Sequence, residues 1–566
     1  MTIFQQKRMV KTFYLILLLF IPLIVHLGFI QLVHGHEYKQ KALEQRTLKV
    51  ALEDIPRGGI YDRSGQTPLT MGRKEPRLVI FPQIISDKQQ AVEKISYIIK
   101  HPPSEIARYF EGQPRFLPFV PDETQIRQIK ELGITGIMVE EVYLRYGTSP
   151  LAVHMVGHLG AISDSRKLER LINLNGKPYQ LTDLVGQSGL EFFYEGQLKA
   201  GEPANSARAY VDVYRNLIAG LGVQVENDGE TGRQDVITTI DADVQQAVEK
   251  VMDERVQRGA VVVMDARNGD LLAMASRPSF NPTNIASSLA SDKDTFMDNC
   301  TALYQPGSIF KVVLAAAALE EGLVKPTDTF ICLGDQEHLI SCWNKSGHGP
   351  ISFEEAFAQS CNPVFAELGL KIGAAKLISY ARDLGLESQK IIGYPIPADK
   401  RQDLSLIGEP YNLVNSSIGQ GPVLTTPVQL TAMMNAIVND GVYIQPRLVK
   451  GLRDEKGHFT ANFPMGSSQK VISYETAREL KRLLGLVTTR GVGQQAAVPV
   501  YGSAGKTGSA ELAPGTDKVN AWFAGFAPSD KPKYVVTVLV EEGISGGVTA
   551  APVFREIMEN ILLLSH

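Results

Sequence analysis

This sequence contains few cysteines and tryptophans, and its net charge is small. Only four cysteines and two tryptophans occur in 566 residues, and the formal net charge is −4. Four cysteines are too few for a disulfide-stapled scaffold of this length. Because lysine and arginine form no basic block and do not alternate with aromatic residues, we expect no nucleic-acid partner.

The rest of the composition is that of a globular protein with a large core. Apolar residues make up 44% of the chain and charged residues 21%. A length of 566 residues predicts three or four domains. No internal repeat or low-complexity segment occurs, so a solenoid or a fibrous protein is not expected.

One long segment lacks charge altogether. Residues 12–36 contain no Asp, Glu, Lys or Arg, and three basic residues lie within 1–11 before them. A run of this length spans a bilayer as one helix, and the basic flank predicts that 37–566 lie outside the cytoplasm. A cleaved signal peptide is the competing interpretation, but it would have a shorter apolar core and a small-x-small cleavage site. We therefore expect a single-pass plasma-membrane protein whose main part is extracytoplasmic.

Two of the cysteines bracket a short loop. Cys332 and Cys342 are the first and last residues of CLGDQEHLISC. In an oxidising exterior they can close this loop as a disulfide. Two unpaired thiols are the alternative, and the sequence does not decide between them. The histidines of HGH and GHG, with His101 and His154, are scattered among residues that bind no metal. We therefore expect neither a metal nor a cofactor.

Hydrophobic patterning divides the chain after the apolar segment into two domains. Residues 37–54 predict a polar helix, and helical patterns dominate from about 85 to 135. A polar stretch near 228–232 marks the main boundary, which separates a domain at 37–232 from one at 233–566. The second domain begins with a strand and an amphipathic helix and ends with strands and a closing helix. This order predicts an α+β packing of layers.

A lysine stands three residues after a serine in YQPGSIFKVV. Residues three apart share a helix face, so the Lys311 amine can reach the Ser308 hydroxyl. A serine becomes a nucleophile when a base takes its proton, and a lysine is such a base only if burial or a neighbouring charge lowers its pKa. The alanines after Lys311 supply burial. The Pro306-Gly307 turn places Ser308 near a helix N-terminus, where N–H groups stabilise an oxyanion.

A second motif pairs a hydroxyl with an amide. Ser360 and Asn362 stand two residues apart in QSCNPVF, where one can relay a proton and the other can bind a substrate amide. A similar pair, Ser279 and Asn281, is flanked by prolines and is typical of a turn.

A third motif, KTGS, combines an amine with two hydroxyls. On a strand Thr507 and Ser509 project from one side, and with Lys506 they suit a terminal carboxylate. Gly508 between them lets a bound peptide approach the strand edge.

Each of these motifs also occurs by chance. Ser467 and Lys470 repeat the Ser-x-x-Lys spacing, but in a polar loop that we interpret as surface. The ordered set Ser-x-x-Lys, Ser-x-Asn and Lys-Thr-Gly, in helix, turn and strand contexts, is uncommon. It is the signature of serine acyl-transfer enzymes that bind penicillin.

On these motifs the chain resembles the class B penicillin-binding proteins, membrane-anchored D,D-transpeptidases that cross-link peptidoglycan. RGGIYDRSG at 57–65 resembles a signature of the family's non-catalytic domain, and SSIGQGPVLTTPVQL at 416–430 resembles a landmark of its catalytic domain. The resemblance covers nearly the whole chain. It implies a transmembrane anchor, an elongated pedestal of the dimerisation type at 37–232, and a transpeptidase domain of the serine β-lactamase-like fold at 233–566.

The resemblance also implies a role for each motif residue. Ser308 attacks the penultimate D-alanine carbonyl of a stem peptide and expels D-alanine, with Lys311 as the base. Ser360 relays a proton to the leaving amine in the field of Lys506. Substrate-binding roles fall to Asn362, Thr507, Gly508 and Ser509, and the N–H groups of Ser308 and Ser509 form the oxyanion hole.

Partners follow from the same resemblance, with two departures from the family pattern. The implied ligands are stem peptides and β-lactam antibiotics, and the implied partner is a SEDS-family glycosyltransferase contacted through anchor and pedestal. Asn299-Cys300 stands where the family usually has Asn-Arg, and Gly147 stands where it usually has proline. Neither departure touches the three motifs.

Three rival functions remain open on the sequence. A β-lactamase needs its own base for the deacylating water, and no Glu-x-x-Leu-Asn segment lies between the second and third motifs. A D,D-carboxypeptidase differs only in using water as the acceptor. A penicillin-sensing receptor needs a cytoplasmic output domain, and only eleven residues precede the apolar span; a scaffold role is compatible with the enzyme.

Overall fold

The chain folds into two compact units, each assembled from separate stretches of sequence. The first comprises Met1–Pro56, Lys74–Leu144 and Glu202–Thr231, and the second Arg57–Arg73, Arg145–Gly201 and Gly232–His566. The computed structural model describes residues 3–32, 34, 46–212, 214–218, 220–227, 229, 231–290, 294–396, 402–512 and 517–564.

The apolar segment forms one helix, Ile3–Leu32. Its 27 residues Gln6–Leu32 are long and apolar enough to cross a membrane, and none of their most apolar stretch is buried within the protein. The expected span reached residue 36; residues 33, 35 and 36 lie outside the described part of the chain. The expected helix is therefore present, and Pro22 lies inside it.

Two three-stranded sheets and a group of helices build the first unit. Thr47–Ala51 pairs antiparallel with Asn205–Tyr210, which pairs with Val223–Asn227. The second sheet is made of Arg115–Phe116, Arg73–Ile80 and Ile137–Leu144. Helices Lys88–Ile99, Pro103–Ala107 and Glu123–Glu131 bury their apolar faces together.

The strand Thr47–Ala51 corrects part of the helix predicted for 37–54. Val50 and Leu52 are buried, and the strand's partner Asn205–Tyr210 lies far away in sequence. A local pattern cannot contain that pairing, so the polar flanks suggested a helix instead. Residues 37–45 lie outside the described part.

A five-stranded antiparallel sheet is the centre of the second unit. Its strand order is Leu271–Arg277, Gly259–Asp265, Tyr534–Gly543, Val519–Ala527 and Ala504–Glu511. Successive residues face opposite sides. Val261 and Phe523 face a core with the helices Ala242–Arg255 and Ala551–Leu563, and Val262 and Trp522 face a larger helical core.

That larger core contains the helices Lys311–Glu320, Pro427–Val438 and Tyr474–Thr489. The unit's other helices are Val153–Val156, Ser165–Asn175, Gly189–Phe193, Glu195–Leu198, Ile285–Leu289, Phe353–Ala358, Asn362–Ile372, Ala374–Asp383 and Asn412–Ser417. Its shorter strands are Ile60–Tyr61, Leu159–Ala161, Leu184–Gly186, Asp235–Thr238, Thr329–Cys332, Gly349–Ser352, Val442–Ile444, Val449–Arg453, Phe459–Asn462 and Ser468–Lys470. Helices on both faces of an antiparallel sheet confirm the predicted α+β class.

The segment 57–65 belongs to the second unit, although the sequence places it in the domain at 37–232. Ile60–Tyr61 pairs in parallel with Asp235–Thr238. The buried Arg57 guanidinium donates to Glu191 at 3.0 Å and to Glu195 at 2.8 Å. The linear boundary at 232/233 and the compact units therefore differ: strand pairing joins 60–61 to residues beyond that boundary, and the ion pairs of Arg57 join it to 191 and 195 of the same unit.

Candidate active site

The nucleophile turn, Gly307–Phe310, is one 3₁₀ turn that leads into the helix Lys311–Glu320. Ser308 is half-buried on this turn. Gly307 has a φ of 54°, and a Cβ there would lie 2.8 Å from the Ser509 carbonyl oxygen. Only glycine therefore allows the turn to approach the strand of the third motif so closely. The Gly307 N–H donates to the Gly419 carbonyl at 3.0 Å, which ties the turn to the segment 416–430.

The two motif lysines meet at the hydroxyl of Ser360. Lys506 Nζ donates to Ser360 Oγ at 2.9 Å, and Lys311 Nζ lies 3.3 Å from the same oxygen. Lys311 Nζ also donates to the Ser360 carbonyl at 2.8 Å and to Asn362 Oδ1 at 2.7 Å. Lys311, Ser360, Asn362 and Lys506 thus form one hydrogen-bonded group. The bond between Lys311 and the Ser308 hydroxyl that the sequence predicts is not among the hydrogen bonds of the described residues.

Burial controls the charge of this group. Both lysine side chains are fully buried. Desolvation lowers the pKa of Lys311 to about 7. Desolvation, together with repulsion from Lys311, lowers the pKa of Lys506 well below its usual range. The pair therefore holds fewer than two protons near neutral pH, so a neutral amine is available as a base beside Ser360.

Ser360 has a backbone conformation that is uncommon for serine. Its φ is 54°, in the left-handed region. It connects the helix Phe353–Ala358 to the helix that begins at Asn362. Such strained residues occur at functional sites, where the surrounding structure holds them. Here the strain directs the Ser360 hydroxyl towards the two lysines.

The third motif occupies Ala504–Glu511, the edge strand of the central sheet. Thr507 is buried and Ser509 is exposed, and both line the same cavity. The Gly546 N–H donates to Ser509 Oγ at 3.0 Å. An edge strand has backbone groups free for an added peptide. The arrangement is therefore suited to an extended peptide with a terminal carboxylate.

The structure gives a packing reason for glycine at position 508 that the sequence analysis did not contain. A Cβ at this position would lie 2.5 Å from the Pro306 carbonyl oxygen and 3.1 Å from Ile309 Cγ1. A side chain at Gly508 would therefore collide with the turn that carries the nucleophile. Its absent side chain lets Ser308 lie next to the third motif.

A cavity of 1110 Å³ joins the three motifs. Ser308, Ser360, Asn362, Thr507 and Ser509 line it. The remaining predicted residues, Lys311, Lys506 and Gly508, are buried behind its wall. The two chance matches in the sequence lie elsewhere among the described residues: Ser468–Lys470 is an exposed strand, and Ser279 and Asn281 are exposed.

Beside the second motif, four side chains form a group that we call the thiol–imidazole cluster. The ligand atoms of Cys332, Cys342, His348 and Cys361 lie within 4.8 Å of one another. No disulfide joins Cys332 to Cys342; both thiols are free. A hydrogen bond with the Cys361 thiol lowers the pKa of Cys342 to about 5, and the same coupling raises the pKa of Cys361.

The donor set of this cluster is that of a structural zinc site. Three cysteines and one histidine are a common tetrahedral set, and zinc binds thiolates. The sequence analysis expects no metal and interprets the histidine of GHG as a loop residue. One sequence feature could have indicated the cluster. Cys361 lies inside the second motif, and the structure places this residue near the loop at 332–342.

Comparisons with known proteins agree with this geometry. Residues 259–559 match the penicillin binding protein transpeptidase domain, and 53–233 match the penicillin-binding protein dimerisation domain. The chain is 28% identical to stage V sporulation protein D of Bacillus subtilis (strain 168), over 98% of this chain and 85% of that protein. It is 26% identical to the peptidoglycan D,D-transpeptidase MrdA of Acinetobacter baumannii, over 99% and 88%.

Solved structures give the same result. The chain is similar over 98% of both chains, with a TM-score of 0.71 and 25% identity, to a structure described as "Structural coordination of polymerization and crosslinking by a peptidoglycan synthase complex". Penicillin-binding protein A of Mycobacterium tuberculosis is similar over 58% of this chain and 83% of its own, with a TM-score of 0.53 and 30% identity. Since the transpeptidase model matches more than half of the chain, the chain belongs to the penicillin-binding proteins, as a class B member with a dimerisation domain and a transpeptidase domain.

Proposed function

We propose that this protein is a peptidoglycan D,D-transpeptidase that works through a serine acyl-enzyme. The observation that carries the proposal is the sharing of the Ser360 hydroxyl by two buried lysine amines, in a cavity that Ser308 and Ser360 both line. A buried amine with a lowered pKa is the kind of base that a serine nucleophile needs. A β-lactam that mimics the substrate would acylate the same serine.

In the first half-reaction, Ser308 Oγ attacks the carbonyl carbon of the penultimate D-alanine. Lys311 accepts the hydroxyl proton, and the terminal carboxylate of the peptide binds Thr507 and Ser509. The bond from that carbonyl to the last D-alanine breaks, and the leaving nitrogen receives a proton through Ser360. Asn362 holds a substrate amide. The N–H groups of Ser308 and Ser509 stabilise the oxyanion.

In the second half-reaction, an amine from a neighbouring stem peptide attacks the acyl-enzyme. Its nitrogen forms the new amide bond and the ester to Ser308 breaks. The proton from the amine returns through Ser360 and the lysines to Ser308 Oγ. The sequence contains no Glu-x-x-Leu-Asn segment that would supply a base for a deacylating water, which favours an amine over water as acceptor.

The thiol–imidazole cluster fits a structural zinc ion. Cys332, Cys342, His348 and Cys361 would supply four ligands, and a site with four protein ligands leaves no open position for catalysis. Bound zinc would join the loop at 332–348 to the second motif. Its contribution would be to stability and to the position of Ser360 and Asn362.

Location and partners extend the same proposal. The apolar helix Ile3–Leu32 would anchor the protein in the plasma membrane, with the part from residue 37 onward outside the cytoplasm. The chain's likeness to a solved peptidoglycan synthase complex supports a SEDS-family glycosyltransferase as partner.

Cross-linking of a defined substrate tests the proposal. The full-length protein in detergent is given a stem pentapeptide together with a stem peptide that carries a free side-chain amine. We expect a cross-linked dimer and released D-alanine, both lost in Ser308→Ala. Release of D-alanine without any dimer would assign the protein to the D,D-carboxypeptidases. Rapid turnover of penicillin would assign it to the β-lactamases.

A further inference from the structure

Trp343 leaves a large apolar surface facing the active site. It is one of two tryptophans in the chain; Trp522 is completely buried, whereas 56% of Trp343 is exposed. Trp343 lines the cavity together with Ile340 and Val492. An indole that borders a binding cavity is a strong apolar and cation-binding surface. None of the three motifs accounts for it.

The indole is fixed in position before any ligand binds. Its Nε1–H donates to the Gln359 carbonyl at 2.8 Å. Its ring also makes an edge contact with His348, with 5.5 Å between ring centroids. Gln359 directly precedes Ser360, so the indole is attached to the segment that carries the proton relay. A preorganised aromatic surface of this kind binds without losing much conformational freedom.

Trp343 lies on the side of the cavity from which an acceptor amine would enter. This inference rests on the proposed transpeptidase function. An incoming amine must occupy the place that the leaving amine has vacated, because one proton relay serves both half-reactions. That place lies next to the Ser360 hydroxyl. The cavity wall there includes Trp343, held by Gln359, and Val492, whose N–H donates to the Ala358 carbonyl at 3.1 Å.

We propose that Trp343 forms the binding surface for the acceptor side chain. The ligand class is an alkyl chain of several methylene groups that ends in an ammonium, as in a diamino acid. The methylene groups would lie against the indole and Val492, and the ammonium would be attracted to the indole face before it loses its proton and attacks. Trp343 is thus a specificity-determining residue that selects a long aliphatic amine over a short one.

Two acceptors of different length test this assignment. Full-length wild type, Trp343→Ala, Trp343→Phe and Leu339→Ala are compared with a stem-pentapeptide donor. The acceptors are a peptide with a lysine-type side-chain amine and free D-alanine, which lacks the chain. Leu339 is the matched control, because it is half-exposed on the same loop but does not line the cavity. Acylation by fluorescent penicillin reports on the Ser308 step alone.

We expect Trp343→Ala to raise KM for the long amine about tenfold, with a change of less than twofold for D-alanine and for penicillin acylation. Trp343→Phe should recover most of the loss, and Leu339→Ala should match wild type. An unchanged KM for the long amine in Trp343→Ala overturns the assignment. An equal loss with both acceptors, or in penicillin acylation, also overturns it and makes Trp343 a support for Ser360. If wild type uses neither amine, the proposed function fails first.

Discussion

Two lysine side chains of this protein are cut off from solvent and point at one serine hydroxyl. Burying an ammonium is unfavourable unless it is paired or gives up its proton. No carboxylate lies among the described hydrogen-bond partners of Lys311 or Lys506. The arrangement therefore costs stability and supplies a base, which is the exchange that active sites make.

Removing that base should slow acylation without abolishing binding. We expect Lys311→Ala to reduce the rate of penicillin acylation by about 10²- to 10⁴-fold, the usual value of general-base help. Ser308→Ala should abolish covalent labelling. Because the two residues act as a unit, the double variant should be indistinguishable from Ser308→Ala alone. Stopped-flow labelling with fluorescent penicillin measures all three.

The second Ser-x-x-Lys pair provides the control for this experiment. Ser467→Ala combined with Lys470→Ala changes exposed residues that do not line the cavity. Labelling at the wild-type rate is expected. Labelling that survives in Ser308→Ala would show that another residue is the nucleophile.

The acylation rate should also depend on pH. Burial lowers the pKa of Lys311 to about 7, so the amine is protonated and inactive as a base below that value. Lys506, Cys342 and Cys361 are the other titratable groups around it. We expect the rate to fall about tenfold per unit below pH 6 and to level off above pH 8. A rate that is constant from pH 5.5 to 8.5 would contradict Lys311 as the base.

Gly508 gives a test of packing at the site. A Cβ added at position 508 would lie 2.5 Å from the Pro306 carbonyl oxygen. Gly508→Ala should therefore lower the free energy of unfolding by about 1–3 kcal/mol and slow acylation. Gly485→Ala is the matched control, since a Cβ there meets nothing within 4 Å and the residue lies inside a helix. That variant should be up to about 1 kcal/mol more stable. Equal melting temperatures for Gly508→Ala and wild type would refute the packing argument.

At the scale of elements, the loop at 332–348 carries three of the four residues of the thiol–imidazole cluster. The thiol–imidazole cluster ties it to the helix that begins at Asn362. We expect the purified protein to contain about one zinc per chain, and Cys332→Ser and Cys342→Ser to lose it and to melt at a lower temperature. Elemental analysis and thermal unfolding measure both effects.

Cys300 is the control for the zinc experiment. It is buried, like the cluster cysteines, but donates to backbone carbonyls of the central sheet. Cys300→Ser should keep its zinc. Metal-free protein with a Cys332–Cys342 disulfide, found by mass spectrometry without reduction, would favour the disulfide that the sequence allows.

The sequence predicts elements well where the signal is local. The serine–lysine helix, the edge strand of KTGS and the apolar span all lie where the patterns indicate. The strand Thr47–Ala51 and the cluster around Cys361 were missed because their partners are distant in sequence. The close approach of Gly508 to Pro306 has the same cause: only tertiary packing reveals what a missing side chain makes room for.

At the scale of the whole molecule, orientation in the membrane decides whether the site can meet its substrate. The basic residues Lys7, Arg8 and Lys11, near the start of the helix Ile3–Leu32, predict a cytoplasmic N-terminus. A reporter that is active only in the cytoplasm, fused after His566, should therefore be silent, and one active only outside it should work. Strong activity of the cytoplasmic reporter would contradict this topology and place the C-terminus in the cytoplasm.

The central claim is that Ser308 forms an acyl-enzyme with a stem peptide. Mass spectrometry of the full-length protein, quenched at short times after mixing with a stem pentapeptide, measures it directly. We predict an added mass equal to the peptide without its last D-alanine. The adduct should lie on the peptide that contains YQPGSIFKVV, decay faster when an acceptor amine is present, and be absent in Ser308→Ala. An adduct on another residue, or the same adduct in Ser308→Ala, would contradict the account.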